Sequence, residues 1–237
     1  LDKVGAGFTS ILDMDGNDWI SFHKQPGSGA SGEFRGFPNA VHNQDGNYFH
    51  PQNSNTDSSS TYVVYNSQEK VSISAVSSNR NWEAQYDFYP THCTFIMKKI
   101  SPGYKYWILY EGTPGGKWEE EDWWMTSDNQ RETTLLTYED DIPNPEWIVF
   151  GDAMQNRIIY LLHHINDHEI DRYYQMNKGM TAFGFGRMQV SSNKLLDTAP
   201  DSFSIGFIEN SHYEVSYNER QQSHTLSSHP CIDCRRR

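Results

Sequence analysis

Hydrophobic and polar residues alternate with a period of two along much of the chain. Three segments with this pattern lie close together, at 71–75, 82–88 and 93–98. Because successive side chains of a strand point to opposite faces, the alternation predicts antiparallel strands with one buried face. Turn-forming Ser, Asn, Pro and Gly residues separate these segments, so we predict a four-strand meander over 70–111.

Further apolar segments of strand length follow the same rules. They lie at 7–13, 17–23, 60–66, 145–150, 156–164, 180–186 and 202–209. About a dozen strands and little helix result, which predicts an all-β fold: an antiparallel β-sandwich of the jelly-roll or supersandwich type. The one candidate helix is 211–222. We expect a single domain over 1–222 and a polar C-terminal tail over 223–237.

Composition narrows the class of partner. The formal net charge is −12, so the overall field repels nucleic acid and anionic membrane surfaces, and we expect neither as a partner. No apolar run reaches the roughly 18 residues that a membrane-spanning helix needs, so no membrane insertion is expected. The first residues lack the basic and apolar regions of a leader peptide. We nevertheless expect a secreted or periplasmic protein, whose leader would then have been removed.

Three cysteines are too few for a disulfide framework. Cys93 lies at an inward position of a predicted strand, where a thiol packs as a small apolar group. Cys231 and Cys234 form an isolated C-x-x-C in the polar tail, near His224 and His229. These residue types can bind zinc, but a frayed tail or a local disulfide is the preferred interpretation.

A first group of chemically capable residues follows the glycine-rich stretch before residue 37. Arg35 offers a fixed cation, His42 and His50 can transfer protons, and Asn39 and Tyr48 can bind substrate hydroxyls. These side chains would meet the two needs of a lyase acting on an acidic sugar, which are neutralisation of a carboxylate and movement of a proton. The alternative is a loop held by its own hydrogen bonds.

A second group lies where a predicted strand runs into a Gly-Pro-Gly-Gly turn. Tyr110 is a candidate acid or base, with Glu111 and Lys117 as substrate-binding residues at the sheet edge. Trp123 and Trp124 follow, and flat indole rings stack on sugar faces. Adjacent residues of a strand point oppositely, so we expect one of these two rings in the core and one at the ligand. The alternative is a hairpin whose glycines serve only the turn.

A third group surrounds the end of the apolar segment 158–162. His164 is the candidate catalytic residue there. Separately, Arg187, at the end of the apolar segment 180–186, is a candidate substrate-binding anion clamp. His164 and His168 could bind zinc, but no strong ligand pattern is present, so no metal or cofactor is predicted. Two acidic runs leave calcium as an alternative, at 119–122 and 139–141.

At the level of class, the chain resembles the aromatic-rich β-sandwiches that include polysaccharide lyases, glycoside hydrolases and sugar-binding modules. We therefore expect a carbohydrate-active protein with a polysaccharide or oligosaccharide as partner, and a metal-independent lyase that cleaves a uronate-containing glycan by β-elimination is the preferred hypothesis. One alternative is a glycoside hydrolase with a carboxylate pair drawn from Glu33, Glu111 and Glu146. The other is a non-catalytic carbohydrate-binding module.

Overall fold

The protein is an all-β sandwich of two antiparallel sheets. The computed structural model describes residues 1–27, 32–128, 131–152, 157–176, 179–189 and 193–208. These ranges contain thirteen strands: β1 (Ser59–Asn66), β2 (Val71–Ser77), β3 (Glu83–Phe88), β4 (His92–Lys99), β5 (Ile108–Gly112), β6 (Trp123–Thr126), β7 (Glu132–Thr133), β8 (Tyr138–Asp140), β9 (Trp147–Gly151), β10 (Ile158–His163), β11 (Asp171–Met176), β12 (Met180–Phe185) and β13 (Asp201–Ile208). A short 3-10 helix spans Pro114–Gly116. The predicted fold class is confirmed.

The larger sheet has nine strands in the order β1-β2-β3-β4-β13-β10-β9-β6-β7, and the smaller has four in the order β5-β12-β11-β8. Large rings from both sheets fill the space between them. Phe150 of β9 packs against Tyr110 of β5 and Tyr173 of β11, with ring centroids 5.7 and 5.4 Å apart. Cys93 is buried in this core with a free thiol, as predicted. Aromatic residues thus supply much of the apolar surface that holds the sheets together.

The N-terminal segment contributes to the core without forming a strand of either sheet. Strands predicted at 7–13 and 17–23 are wrong, since only isolated bridges occur there. Asp13 explains the difference, because its carboxylate accepts hydrogen bonds from the backbone N–H groups of Asp15 and Asn17 and from the indole N–H of Trp19. A carboxylate that accepts hydrogen bonds from nearby backbone N–H groups favours a tight turn instead of strand pairing.

The segment 36–41 lies along the free edge of β5. Gly36 and Glu111 exchange two backbone hydrogen bonds, each 2.9 Å long, and the Leu109 N–H donates to the carbonyl of Pro38 at 2.7 Å. This pairing brings residues of the N-terminal segment beside the smaller sheet, where no short-range signal would place them.

The predicted four-strand meander is corrected to three strands, β2, β3 and β4. The fourth segment, β5, crosses to the smaller sheet, because β4 pairs on its other side with β13. Strand β11 was not predicted, since Arg172 and Gln175 interrupt its apolar pattern. The candidate helix 211–222 and the tail 223–237, with Cys231 and Cys234, lie outside the described residues. Within the described ranges, no helix has the length and apolar character needed to cross a membrane.

Candidate functional site

A cluster of basic and aromatic side chains lies on the outer face of the smaller sheet. Ile108 and Tyr110 of β5 point into the core, so the alternate positions Trp107 and Glu111 point outward. We call this cluster the cationic face; it consists of Asn39, His42, Trp107, Glu111, Tyr174, Arg187 and Lys194.

Small residues on the central strand leave room for the cationic face. Ala182 of β12 lies between Glu111 of β5 and Tyr174 of β11 in the register, and Gly184 pairs with Leu109. A Cβ atom at Gly184 would lie 2.4 Å from a Leu109 methyl carbon and 3.0 Å from Cδ of Arg187. Arg187 therefore folds back over the central strand, and the glycine is what allows this close approach.

Arg187 is buried, at 6% exposure, yet only part of its guanidinium is bonded. Its Nη2 donates to the phenol oxygen of Tyr174 at 2.9 Å. The guanidinium carbon lies 5.2 Å from the ring centroid of Trp107 and 4.9 Å from that of Tyr174. Its Nε and Nη1 have no partner among the described residues. Buried donors without acceptors are costly, so this group is suited to receive an anion.

Two further basic groups surround the same indole. Lys194 Nζ lies 4.0 Å from the Trp107 ring centroid, and burial together with the nearby Arg187 charge lowers the Lys194 pKa to about 8. The His42 ring stacks on Trp107 at 6.3 Å between centroids and an interplanar angle of 16°. Burial, Lys194 and Arg187 all lower the pKa of His42. His42 is therefore a neutral imidazole near neutral pH and can accept a proton.

Glu111 is the acidic member of the cationic face. Burial raises its pKa to about 7, although Arg187, Arg35 and a 2.9 Å hydrogen bond from the Asn39 side chain oppose that rise. Asn39 is itself held by the Trp107 indole N–H, which donates to the backbone carbonyl of Asn39 at 2.7 Å. Glu111 is therefore partly protonated at neutral pH and neutralises the neighbouring cations only in part.

The structure brings four of the sequence-predicted site residues together: Asn39, His42, Glu111 and Arg187. The other three members of the cationic face were not singled out from the sequence. Trp107 lies in the same stretch as Glu111, but Tyr174 lies on the unpredicted strand β11 and Lys194 in a loop between β12 and β13. No sequence signal places either of these two beside Arg187.

Three predicted catalytic residues are parts of the buried scaffold. Arg35 is fully buried, and its guanidinium bonds the carbonyls of Ile20 and Gly179 and the hydroxyl of Thr113. His50 contacts the Pro51 carbonyl through Nδ1 at 2.7 Å, and burial lowers its pKa to about 4. Tyr110 is fully buried and donates to the Trp19 carbonyl at 2.8 Å. Their hydrogen bonds account for these side chains without a ligand.

The remaining predicted residues lie apart from the cationic face. Tyr48 and Trp124 are core residues, whereas Trp123 belongs to a smaller apolar cluster and lies under Arg131. Lys117 is largely exposed and pairs with a neighbouring glutamate. His164 bonds the Ser204 hydroxyl of the larger sheet through Nε2 at 2.8 Å.

A second titratable cluster centres on His163. Its Nδ1 lies 2.6 Å from Glu146 and its Nε2 lies 3.1 Å from Asp201. Burial disfavours the imidazolium, but the bonds to Asp201 and Glu146 outweigh burial and raise the pKa of His163 to about 10. His163 is therefore a buried cation between two carboxylates, at the wall of a pocket of about 350 Å³.

The His163 cluster is also where a metal could be held. Ligand atoms of Glu146, His163 and Asp167 all lie within 4.8 Å of one another. However, both nitrogens of His163 already contact carboxylates, so an internal ion pair satisfies the group. The two histidines of the zinc alternative contact different partners. His164 bonds Ser204, whereas the exposed His168 contacts Asp141.

The acidic runs offered for calcium make bonds of their own. An Asp122 side-chain oxygen accepts the Glu119 N–H at 2.9 Å, and Glu139 pairs with Arg172 at 3.3 Å. The cationic face is therefore the candidate functional site. No protein-family model, curated protein or solved structure matches the chain.

Proposed function

We propose that the protein is a carbohydrate-active enzyme, a metal-independent polysaccharide lyase that cleaves a uronate-containing glycan by β-elimination at the cationic face. The observation that carries the proposal is the buried Arg187 guanidinium, two of whose nitrogens have no partner in the described part of the chain, beside a neutral imidazole and a phenol. We further propose that this chemistry takes place outside the cytoplasm, in a secreted or periplasmic protein.

Substrate binding begins with the uronate carboxylate at Arg187. A carboxylate can accept a charge-assisted hydrogen bond from Nε or Nη1 of Arg187, which have no partner among the described residues, and bonds of this kind are about twice as strong as neutral ones. Lys194, which lies over the same indole, adds a second cation. Neutralising the carboxylate makes the proton on the adjacent sugar carbon, C5, more acidic, and this is the first requirement of β-elimination.

His42 removes the C5 proton. Its lowered pKa keeps the imidazole neutral at neutral pH, and the exposed Asn43 amide that donates to Nε2 at 2.8 Å has to move aside when this nitrogen accepts the proton. The electron pair of the C5–H bond forms the C4=C5 double bond, and the C4–O bond to the leaving sugar breaks. The reaction is redox-neutral and yields an unsaturated uronate.

Tyr174 donates a proton to the departing oxygen. Its phenol oxygen accepts a hydrogen bond from Arg187 and thus lies next to the carboxylate subsite. The same Arg187 bond stabilises the negative charge that the phenol oxygen acquires as its proton leaves. Proton exchange with His42 through water would return both groups to their starting state.

A local basic cluster also addresses the main objection to an acidic substrate. The chain carries a net charge of −12, which repels a polyanion at long range. Two cationic side chains, Arg187 and Lys194, lie over Trp107, and the nearby Glu111 is partly protonated at neutral pH. Short-range attraction at this face can therefore exceed the screened long-range repulsion.

The hydrolase alternative lacks support at the same face. A glycoside hydrolase needs a second carboxylate about 5 to 9 Å from the first. The groups that shift the pKa of Glu111 are two arginines and Asn39, and no carboxylate is among them in the described part of the chain. Glu146 is engaged with His163.

The test is ultraviolet absorbance of the unsaturated uronate during incubation with a panel of acidic polysaccharides. We expect a rise for the wild type, a loss of at least about 100-fold in rate for Arg187→Ala and His42→Ala, and a comparable loss for Tyr174→Phe. Arg80→Ala, which removes an exposed arginine in a turn of the larger sheet, is the matched control and should retain the wild-type rate.

Two outcomes would contradict the proposal. New reducing ends without the absorbance band would indicate hydrolysis. Retention on the glycan without any product, lost in Arg187→Ala, would indicate a non-catalytic binding module that uses the same face.

A further inference from the structure

The edge strand of the larger sheet carries exposed aromatic rings far from the cationic face in the topology. Tyr62 and Tyr65 of β1 are 52% and 51% exposed. Strand β1 pairs only with β2 in the nine-stranded order, whereas the cationic face belongs to the other sheet. Large exposed rings do not contribute to the core, so their place at the surface needs another explanation.

An irregularity in β1 turns both rings to the same face of the sheet. Tyr62 pairs with Ser74 and Tyr65 with Ser72, because the register shifts between Val63 and Tyr65. Ser72 and Ser74 are two residues apart on β2 and so share a face. Without the extra residue, positions 62 and 65 would point to opposite faces. The bulge therefore places the two rings side by side, about 7 Å apart along the strand direction.

A lysine and a third tyrosine extend this row. Lys70 Nζ lies 5.4 Å from the Tyr65 ring centroid and 5.9 Å from that of Tyr89. Lys70 also forms a 3.3 Å ion pair with Asp87. We call Tyr62, Tyr65, Lys70 and Tyr89 the tyrosine strip. The strip thus combines three phenol rings with one charged side chain.

A buried hydroxyl beneath the strip lacks a partner. Ser72 is 2% exposed, and its Oγ makes no hydrogen bond among the described residues. Its register partner is Tyr65, an edge-strand side chain that is half exposed. A shift of that ring on ligand binding would open Ser72 to a ligand hydroxyl, which would remove the cost of the unsatisfied group.

We propose that the tyrosine strip is a second glycan-binding surface, separate from the cationic face, on which a polysaccharide chain lies against the rings of Tyr62 and Tyr65. Flat rings with polar neighbours suit pyranose faces and their hydroxyls. Lys70 suits an acidic substituent, so the strip fits the same class of glycan. That choice of glycan rests on the proposed function, whereas binding to the strip does not require catalysis.

The alternative occupant, a second copy of the chain, fits the strip less well. The same bulge that aligns the tyrosines interrupts the regular edge that strand-to-strand pairing needs, which is one way proteins protect exposed edges. Two copies would also bring together molecules with a net charge of −12 each.

The experiment measures retention in gels that contain acidic polysaccharide, for the full chain in the Arg187→Ala background and in the wild type. Tyr62→Ala combined with Tyr65→Ala should weaken retention by about tenfold, the order expected for losing two stacked rings. Turnover of short oligosaccharides should stay at the wild-type rate, because the strip lies on the other sheet. Tyr104→Ala is the matched control, since Tyr104 is 40% exposed and lies outside the strip.

Unchanged retention in the double variant would overturn the inference. So would a sedimentation experiment in which the wild type is a dimer that the double variant converts to monomer, since a second copy would then occupy the strip. If retention falls as expected while the wild type yields no unsaturated product, the inference holds and the proposed lyase activity fails.

Discussion

Replacing Arg187 with methionine should stabilise the protein while it abolishes the proposed activity. Methionine keeps an unbranched apolar stem over Gly184, where the arginine now packs. The change removes a buried guanidinium with two nitrogens that have no partner among the described residues. Each such unsatisfied group costs about 1–3 kcal/mol, so the gain is roughly 2–6 kcal/mol.

Taken at the middle of each range, the losses amount to about 3 kcal/mol against a gain of about 4 kcal/mol. The hydrogen bond from Nη2 to Tyr174 contributes about 1.5–3 kcal/mol at most for a charged donor, and the ring contacts with Trp107 and Tyr174 add about 1 kcal/mol. The net effect is a stabilisation of about 1 kcal/mol, or roughly 2–4 °C in Tm for a chain of this size.

Urea unfolding at pH 7, followed by tryptophan fluorescence, measures the difference directly. Arg80→Met serves as the control, because Arg80 is exposed and its substitution should change stability by less than about 0.5 kcal/mol. A destabilisation of Arg187→Met by more than about 1 kcal/mol would contradict this prediction. It would mean that the guanidinium is a structural element, and the cationic face would lose its main support as a binding site.

Three further predictions concern the same structure. Stability should fall as pH rises from about 6.5 to about 10, because the raised pKa of His163 makes its protonated form a stabilising group that is lost over that window. Urea midpoints measured across this window check the prediction, and their fall should be smaller in His163→Phe, where only other groups such as Glu111 and Lys194 still titrate. Glu146→Gln should cost about 1.5–3 kcal/mol, since it removes one of the two carboxylates bonded to His163 while Asp201 still pairs with the imidazolium, and urea unfolding at pH 7 measures it. Gly184→Ala should destabilise the protein and lower glycan affinity together, because the new methyl group meets Leu109 at 2.4 Å and displaces Arg187; calorimetric binding beside thermal unfolding separates the two effects.

Local patterns predicted those strands whose two faces differ in polarity. β2, β3 and β4 alternate regularly, and each forms where the alternation places it. The N-terminal segment has comparable apolar content, but the hydrogen bonds that Asp13 accepts from nearby backbone N–H groups favour turns there. Strand β11 is held by pairing with β8 and β12, and its own polar sequence gives no sign of this tertiary support.

The candidate site was predictable only in part, and for a different reason. His42, Glu111 and Arg187 carry chemistry that a sequence can reveal by residue type. Their convergence depends on the register across β5, β12 and β11 and on the pairing of segment 36–41 with β5, which are long-range features. Arg35 and Tyr110 offer the same chemistry, yet burial and backbone acceptors occupy them.

The attachment of segment 36–41 to the edge of β5 also bears on how the protein folds. Asn39 and Glu111 are 72 positions apart, and Tyr106 meets Asp201 across 95 positions. Contacts of such separation pay their loop-closure entropy before they gain any stabilisation, so chains rich in them fold slowly. We therefore expect the smaller sheet to acquire its outer edge late, after β5 and β12 have paired. Until that step, the nascent chain would hold Arg187 and Glu111 without Asn39 and His42, and it would expose an unpaired strand edge to other chains.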